Sequence, residues 1–183
     1  RSVCHSFSSM TKLSFYGAAQ EVTGSCFLLD NGEHKILIDC GLFQCPKFCD
    51  IRSNEPLPFD PKSIEALFVT HAHVDHTGRI PKLVKEGFRG KIYSTPPTRD
   101  FAEFLLLDSQ HILAKESERE QNPPLYTVAD VNALMAHWEG MEYHVPFHVA
   151  QATVEFLNAG HILGSAIVEI KADGKTIVFS GDL

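Results

Sequence analysis

"THAHVDHTG", residues 70–78, sets three histidines and one aspartate into the six positions from His71 to His76. It follows "IEALFVT" (64–70), an apolar run that reads as a β-strand. It precedes "GRIPKLVKEGF" (78–88), where Ile80, Leu83 and Val84 recur at helical spacing. On an extended chain residues two apart project to the same side, so His71 and His73 are expected to share one ion. Asp75 and His76 come where the chain turns into the helix and are expected to face a second ion nearby. Imidazole nitrogen and carboxylate oxygen without thiolate suit Zn²⁺ with an open position, the catalytic arrangement. Ligand type alone leaves Mn²⁺ and Fe open. A histidine-rich exposed loop is the competing reading, and the order of these four residues behind a strand favours the metal.

The cluster supplies only part of two coordination shells, so further ligands must come from elsewhere in the chain. "NAGHILGS" (158–165) places His161 after an apolar strand, and "FSGDL" (179–183) places Asp182 after the last one. Both are expected to emerge at strand tips beside the loop that carries His71.

The surrounding pattern is strand, helix, strand. "KLSFYG" (12–17) and "SCFLLDNGEHKILIDCG" (25–41) read as strands, the latter a hairpin about Asn31-Gly32. Residues 42–63 hold four prolines and read as a surface loop. "KIYST" (91–95) is strand-like. A helix is expected over Thr98–Glu120, and a second over "VNALMAHW" (131–138) behind the capping-box spacing of Thr127 and Asp130. Strands return in "ATVEFLNAG" (152–160), "SAIVEIKADG" (165–174) and "KTIVFSGDL" (175–183), with Asp173-Gly174 as a hairpin turn. A layered α/β domain follows.

"THAHVDHTG", "AGHILGS", "FSGDL" and "LIDCGLFQ" (37–44) together resemble the metallo-β-lactamase superfamily. "LSFYGAAQEVTGSCFLL" (13–29), "TRDFAEFLLLDSQ" (98–110), "PLYTVADV" (124–131) and "AGHILGSAIVEI" (159–170) resemble its β-CASP branch of RNA-processing nucleases, especially prokaryotic relatives of the cleavage and polyadenylation endonuclease subunit. The likeness runs from Thr11 to Leu183. It implies the four-layer αββα fold, of which residues 11–183 would supply the N-terminal half, with a helical insert at about 98–140. It implies that His71, His73 and His161 bind a first zinc, that Asp75 and His76 bind a second, and that Asp182 bridges the two. Asp39, in "IDCG", would organise the metal loop by hydrogen bonds, and Asp75 would be the catalytic carboxylate. The branch inserts a cap after its "GDL" motif and then completes the fold with one more histidine for the second zinc. None of this is in the 183 residues, so the second site is expected to be incomplete here and the piece to be inactive alone.

The expected activity is hydrolysis of RNA phosphodiester bonds by metal-activated hydroxide, with RNA as partner. A small-molecule metallo-hydrolase acting on a thiolester or lactam is the alternative, as is a non-catalytic subunit of an RNA-processing complex. The net charge of −7 argues against a protein that grips nucleic acid through a broad basic face, without excluding a nuclease. No apolar stretch approaches the roughly 20 residues that cross a bilayer, so no membrane partner is expected. Cys4, Cys26, Cys40, Cys45 and Cys49 form an odd set without a C-x-x-C pair, which suggests a reducing, cytoplasmic setting. Residues 1–10, "RSVCHSFSSM", read as a leader or expression remnant, with Met10 the natural start. Uncovered sheet edges would favour a homodimer or other self-association.

Other candidates read as structural. Cys40, Cys45 and Cys49 match no zinc or iron–sulfur spacing. His144 and His148 suit a surface strand, and His111 and His137 the edges of helices. His34 belongs to the hairpin turn and His5 to the leader. Trp138, with Leu134 and Met135 at helical spacing, suits the core. Lys82, Lys85, Arg89 and Lys91 suit a solvated helix face.

Overall fold

The computed structural model describes residues 11–44 and 51–183, so the leader with Cys4 and His5, and also Cys45 and Cys49, lie outside the described residues. One sheet runs in spatial order β1 (Lys12–Phe15), β2 (Phe27–Asp30), β3 (Lys35–Ile38), β4 (Ala66–Phe68), β5 (Lys91–Ser94) and β6 (Trp138–Gly140). Its first three strands pair antiparallel, as short connections allow, and β3 to β6 pair parallel. Parallel pairs need crossovers. Two of these are helical: α1 (Val74–Thr77) with α2 (Ile80–Lys85) between β4 and β5, and α3 (Pro96–Glu120) with α4 (Val128–Met135) between β5 and β6; residues 39–65 connect β3 to β4. The second sheet is antiparallel in the order β10 (Lys175–Phe179), β9 (Ala166–Ala172), β8 (Ala152–Asn158) and β7 (Phe147–Val149).

Alternation along the central strands builds two cores. Leu37, Leu67 and Ile92 point to the helices and join Ile80, Leu83, Ala102, Leu106, Val131 and Leu134 in one cluster. Their strand neighbours Ile36, Ile38 and Phe68 point the other way and pack on Val154, Phe156, Val168 and Ile170 of the second sheet. The described residues therefore stack as helices, sheet and sheet. This agrees with the α/β layering expected, because strands buried on both faces need apolar residues at successive positions.

Several local expectations shift. Helix α3 starts at Pro96, since prolines lack only N–H groups that a first turn leaves unused, and Thr95 caps it by accepting the Thr98 N–H. Helix α4 stops at Met135, so His137 falls in a turn and Trp138 opens β6, in register with Ile92. Tryptophan stays buried as expected, but on a strand, with Nε1 donating to Ser94 Oγ at 2.8 Å. The first hairpin closes through a four-residue loop between Asp30 and Lys35, with positive φ at Gly32. Lys82 is buried, so the solvated-face reading fails for it. Its ammonium donates to the carbonyls of Ser53 and Glu55, and burial lowers its pKa. Among the described residues no helix is long and apolar enough to cross a membrane.

Candidate metal centre

The site begins where β3 ends. Asp39 takes φ +55°, a conformation that aspartate tolerates better than most residues, and its carboxylate is fully buried. Oδ1 accepts the Thr70 N–H at 2.8 Å, and Oδ2 accepts both the Thr70 hydroxyl and His76 Nδ1–H at 2.8 Å. Because the carboxylate accepts a hydrogen bond from Nδ1–H and so keeps the proton on that nitrogen, the neutral ring of His76 presents the Nε2 lone pair to the site.

Backbone bonds clasp the loop that follows β4. Cys40 N–H donates to His76 O at 2.9 Å, Leu42 N–H to Val74 O at 2.8 Å, and Ser25 N–H to Asp75 O at 2.9 Å. The chain passes so near Gly41 that a Cβ there would lie 1.6 Å from Asp75 O. Arg79, buried beneath, donates from Nε to Gly41 O and from a terminal nitrogen to Gly24 O, with its guanidinium 4.4 Å from the Phe43 ring centre.

Four ligand atoms, from His71, His73, His161 and Asp182, lie within 4.8 Å of one another. His71 Nε2 is 3.0 Å from His73 Nδ1, which is 3.2 Å from His161 Nε2. Asp182 Oδ2 stands 3.9 Å from His71 Nε2 and 3.7 Å from His161 Nε2. Zinc bonds of ordinary length set tetrahedral ligand atoms about 3.3 Å apart, so this donor set fits one ion. The other oxygen of Asp182 turns to a second group: Oδ1 is 3.3 Å from His76 Nε2, which is 3.9 Å from Asp75 Oδ2. A carboxylate facing both groups has the geometry of a bridge. Asp39 contributes no atom to either, its oxygens being occupied by hydrogen bonds.

The common position of these tips follows from topology. Strands β8 and β10 both pair antiparallel with β9, so they run the same way and end on the same side. His161 and Asp182 leave from those ends, and Ala166 N–H reaches across to Thr70 O at 2.7 Å, joining the second sheet to the tip of β4.

Electrostatics separates two of the histidines. Burial, reinforced by the neighbouring His76, lowers His71 to about 4, so its ring is neutral at pH 7. Thr70 Oγ1 gives its proton to Asp39 and lies 3.1 Å from His71 Nδ1, where it accepts the ring N–H and leaves Nε2 a free lone pair. Burial also pulls His76 down, but the charges of Asp39, Asp75 and Asp182 and the Asp39 hydrogen bond outweigh it and raise the pKa.

Sequence reasoning missed Ser25, Thr70 and Arg79. Ser25 Oγ lies 3.3 Å from His76 Nε2 and lines a cavity of about 420 Å³ with His76, Asp182 and the aromatic rings of Phe15, Phe27 and Phe179. Thr70 stood inside the quoted motif, whereas nothing local marks Ser25 or Arg79. The residues set aside lie elsewhere: His144 Nδ1 is 3.7 Å from Glu155 Oε1, His148 bonds Thr153, and His34 pairs with Glu65 at 2.8 Å. Cys26 and Cys40 are free, buried thiols, and the hydrogen bond between them, with burial, holds Cys26 well above its ordinary pKa.

The profile of the metallo-beta-lactamase superfamily matches residues 19–183. Ribonuclease TTHA0252 of Thermus thermophilus is 39% identical over 92% of this chain and 37% of its own length. Transcription termination factor FttA of Methanosarcina mazei is 37% identical over 98% of this chain and 28% of its own. The chain thus spans about a third of the length of these relatives. Among solved structures, the metallo-beta-lactamase fold protein YhfI of Bacillus subtilis superposes with a TM-score of 0.59 at 17% identity, over 94% of this chain and 63% of that one, a likeness of fold. The chain belongs to the metallo-beta-lactamase superfamily.

Proposed function

We propose that the chain carries the metal-binding part of a binuclear zinc-dependent hydrolase that cleaves RNA phosphodiester bonds. The observation that carries this reading is the two-sided carboxylate of Asp182, with Oδ2 toward His71 and His161 and Oδ1 toward His76. His71, His73, His161 and Asp182 would hold the first ion, and Asp75, His76 and Asp182 the second. A pair of divalent ions lowers the pKa of water and polarises a phosphoryl oxygen.

The chain's own residues do the rest. Asp39 keeps His76 in the tautomer that presents Nε2, and burial keeps His71 neutral. Asp75, its side chain 19% exposed, is assigned to orient the attacking water and accept its proton. The names of the ribonuclease and termination-factor relatives support RNA as the substrate class.

The reading extends to organisation. Residues 98–140 would be an insert on the lactamase scaffold, and the protein would work in the cytoplasm, where the thiols of Cys26 and Cys40 stay reduced. Self-association would use the β1 and β10 edges, where Phe15 and Val178 are exposed; sedimentation velocity tests it.

The decisive experiment combines metal analysis with cleavage of a labelled single-stranded RNA by the whole protein and its Asp75→Asn variant. Zinc bound and RNA cut by the parent, with cutting reduced by about 10²-fold or more in the variant, is the expected result. Hydrolysis of a thiolester or lactam in place of RNA would favour the small-molecule alternative. No zinc above background would leave a non-catalytic subunit.

A further inference from the structure

The loop that delivers His161 is held from a different element. Thr95, the cap of α3, donates from Oγ1 to the carbonyl of Gly164 at 2.6 Å, and Thr98 donates from its own Oγ1 to the same oxygen at 2.8 Å. Thr95 Oγ1 also lies 3.1 Å from Thr98 Oγ1 and accepts the Thr98 N–H at 3.4 Å, so the two hydroxyls form one network closed on Gly164 O, the shorter contact of each. Both threonines are buried. Gly164 has φ +87°, and a Cβ there would lie 2.6 Å from Thr98 N, so the loop backbone rests directly on the first turn of the helix.

On its far side the loop is equally constrained. Ser165 Oγ accepts the N–H groups of His161 at 3.1 Å and Ile162 at 3.2 Å, and Ser165 O accepts the Tyr143 hydroxyl at 2.8 Å. The next residue, Ala166, is bonded to Thr70 beside His71. Gly164 therefore sits between two anchors, and the threonine pair is the one that ties it to α3. Removing a hydroxyl weakens the satisfaction of a buried carbonyl and frees the loop to shift.

We propose that Thr95 and Thr98 are positioning residues of the metal centre: their paired hydroxyls fix Gly164 and, through it, the His161 imidazole at the spacing that His71 and His73 require. The proposal rests on the reading that His71, His73, His161 and Asp182 hold an ion. It makes the first turn of a long helix, outside the strand tips, a determinant of metal affinity.

The test uses the 183-residue chain, stripped of metal and titrated with Zn²⁺ against a chromophoric chelator, with the Co²⁺ absorption spectrum as a report on ligand geometry. Thr98→Val keeps the shape and removes the hydroxyl; it is expected to bind the first ion about 10- to 100-fold more weakly and to alter the cobalt spectrum. Thr98→Ser, which keeps the hydroxyl, is expected to restore parental affinity. In a His161→Ala background the valine substitution is expected to add nothing, because the residue it positions is gone. Should Thr98→Val not fold, Thr98→Ala, which relieves any crowding, carries the same expectations. Parental affinity without the hydroxyl, or an equal loss with and without His161, would overturn the proposal while leaving the metal reading intact. A parent chain that binds no zinc would overturn both.

Discussion

Asp39 accepts a hydrogen bond from His76 Nδ1 at 2.8 Å with both side chains buried, so the aspartate decides which nitrogen of the imidazole faces the site. An asparagine at 39 can still accept the Thr70 N–H, but it turns an N–H toward His76 and moves the ring proton to Nε2. In the whole protein, Asp39→Asn is expected to lose the second of two bound ions, keep the first, and lose about 1–3 kcal/mol of stability. Metal analysis with urea denaturation checks this, and an unchanged ion content would contradict the assignment of Asp39.

Gly41 is demanded by a close approach. A methyl there would overlap Asp75 O, so either the β3 loop or the metal loop must move. Gly41→Ala is expected to cost about 3 kcal/mol or more, read from denaturation midpoints, and to weaken zinc binding as Asp75 and His76 are displaced.

The buried His71 makes the metal-free protein acid-sensitive. Its folded pKa of about 4 lies below the ordinary 6.5, so as pH falls through that window the unfolded chain gains a proton that the folded one refuses. Stability from this residue is lost toward low pH, at about 1.4 kcal/mol per pH unit. His76 acts oppositely: its raised pKa contributes stability present below 6.5 and lost as pH rises through the folded value. In chelator, His71→Asn is expected to flatten the stability profile between pH 6.5 and 4 relative to the parent. Parallel profiles would show that His71 is not held neutral.

Metal should bind the folded chain and thereby stabilise it. At a hundredfold excess over the dissociation constant the gain is about 2.7 kcal/mol, or roughly 5–10 °C in melting temperature for a chain of this size. EDTA is expected to abolish that increment and zinc to restore it, with His161→Ala insensitive to both. Calorimetric scans with and without zinc decide the matter.

How far the site could be read in advance varied with the kind of signal. The motif at 70–78 carries its ligand types on its surface, and His161 and Asp182 were found because each polar residue ends an apolar strand. Asp173 and Gly174 both take positive φ, as their turn requires. Trp138 misled because a spacing that suits a helix also ends one: α4 stops at Met135, and the indole packs from a strand paired with β5. Lys82 misled because a charge on a short helix suggests solvent, and only the chain around Ser53 and Glu55, folding over it, supplies the carbonyls that bind its ammonium.

Local sequence dictates where helices begin, which strand faces are apolar and which residues can ligate a metal, since these depend on neighbours a few positions away. It does not dictate that Asp39, His71, His161 and Asp182 meet. That required β8 and β10 to flank β9 in the same direction, and the bond from Ala166 to Thr70 to join the two sheets at one end. The choice of ligating nitrogen is likewise tertiary, because it is Asp39 and Thr70, brought against the rings by folding, that hold the opposite nitrogens of His76 and His71.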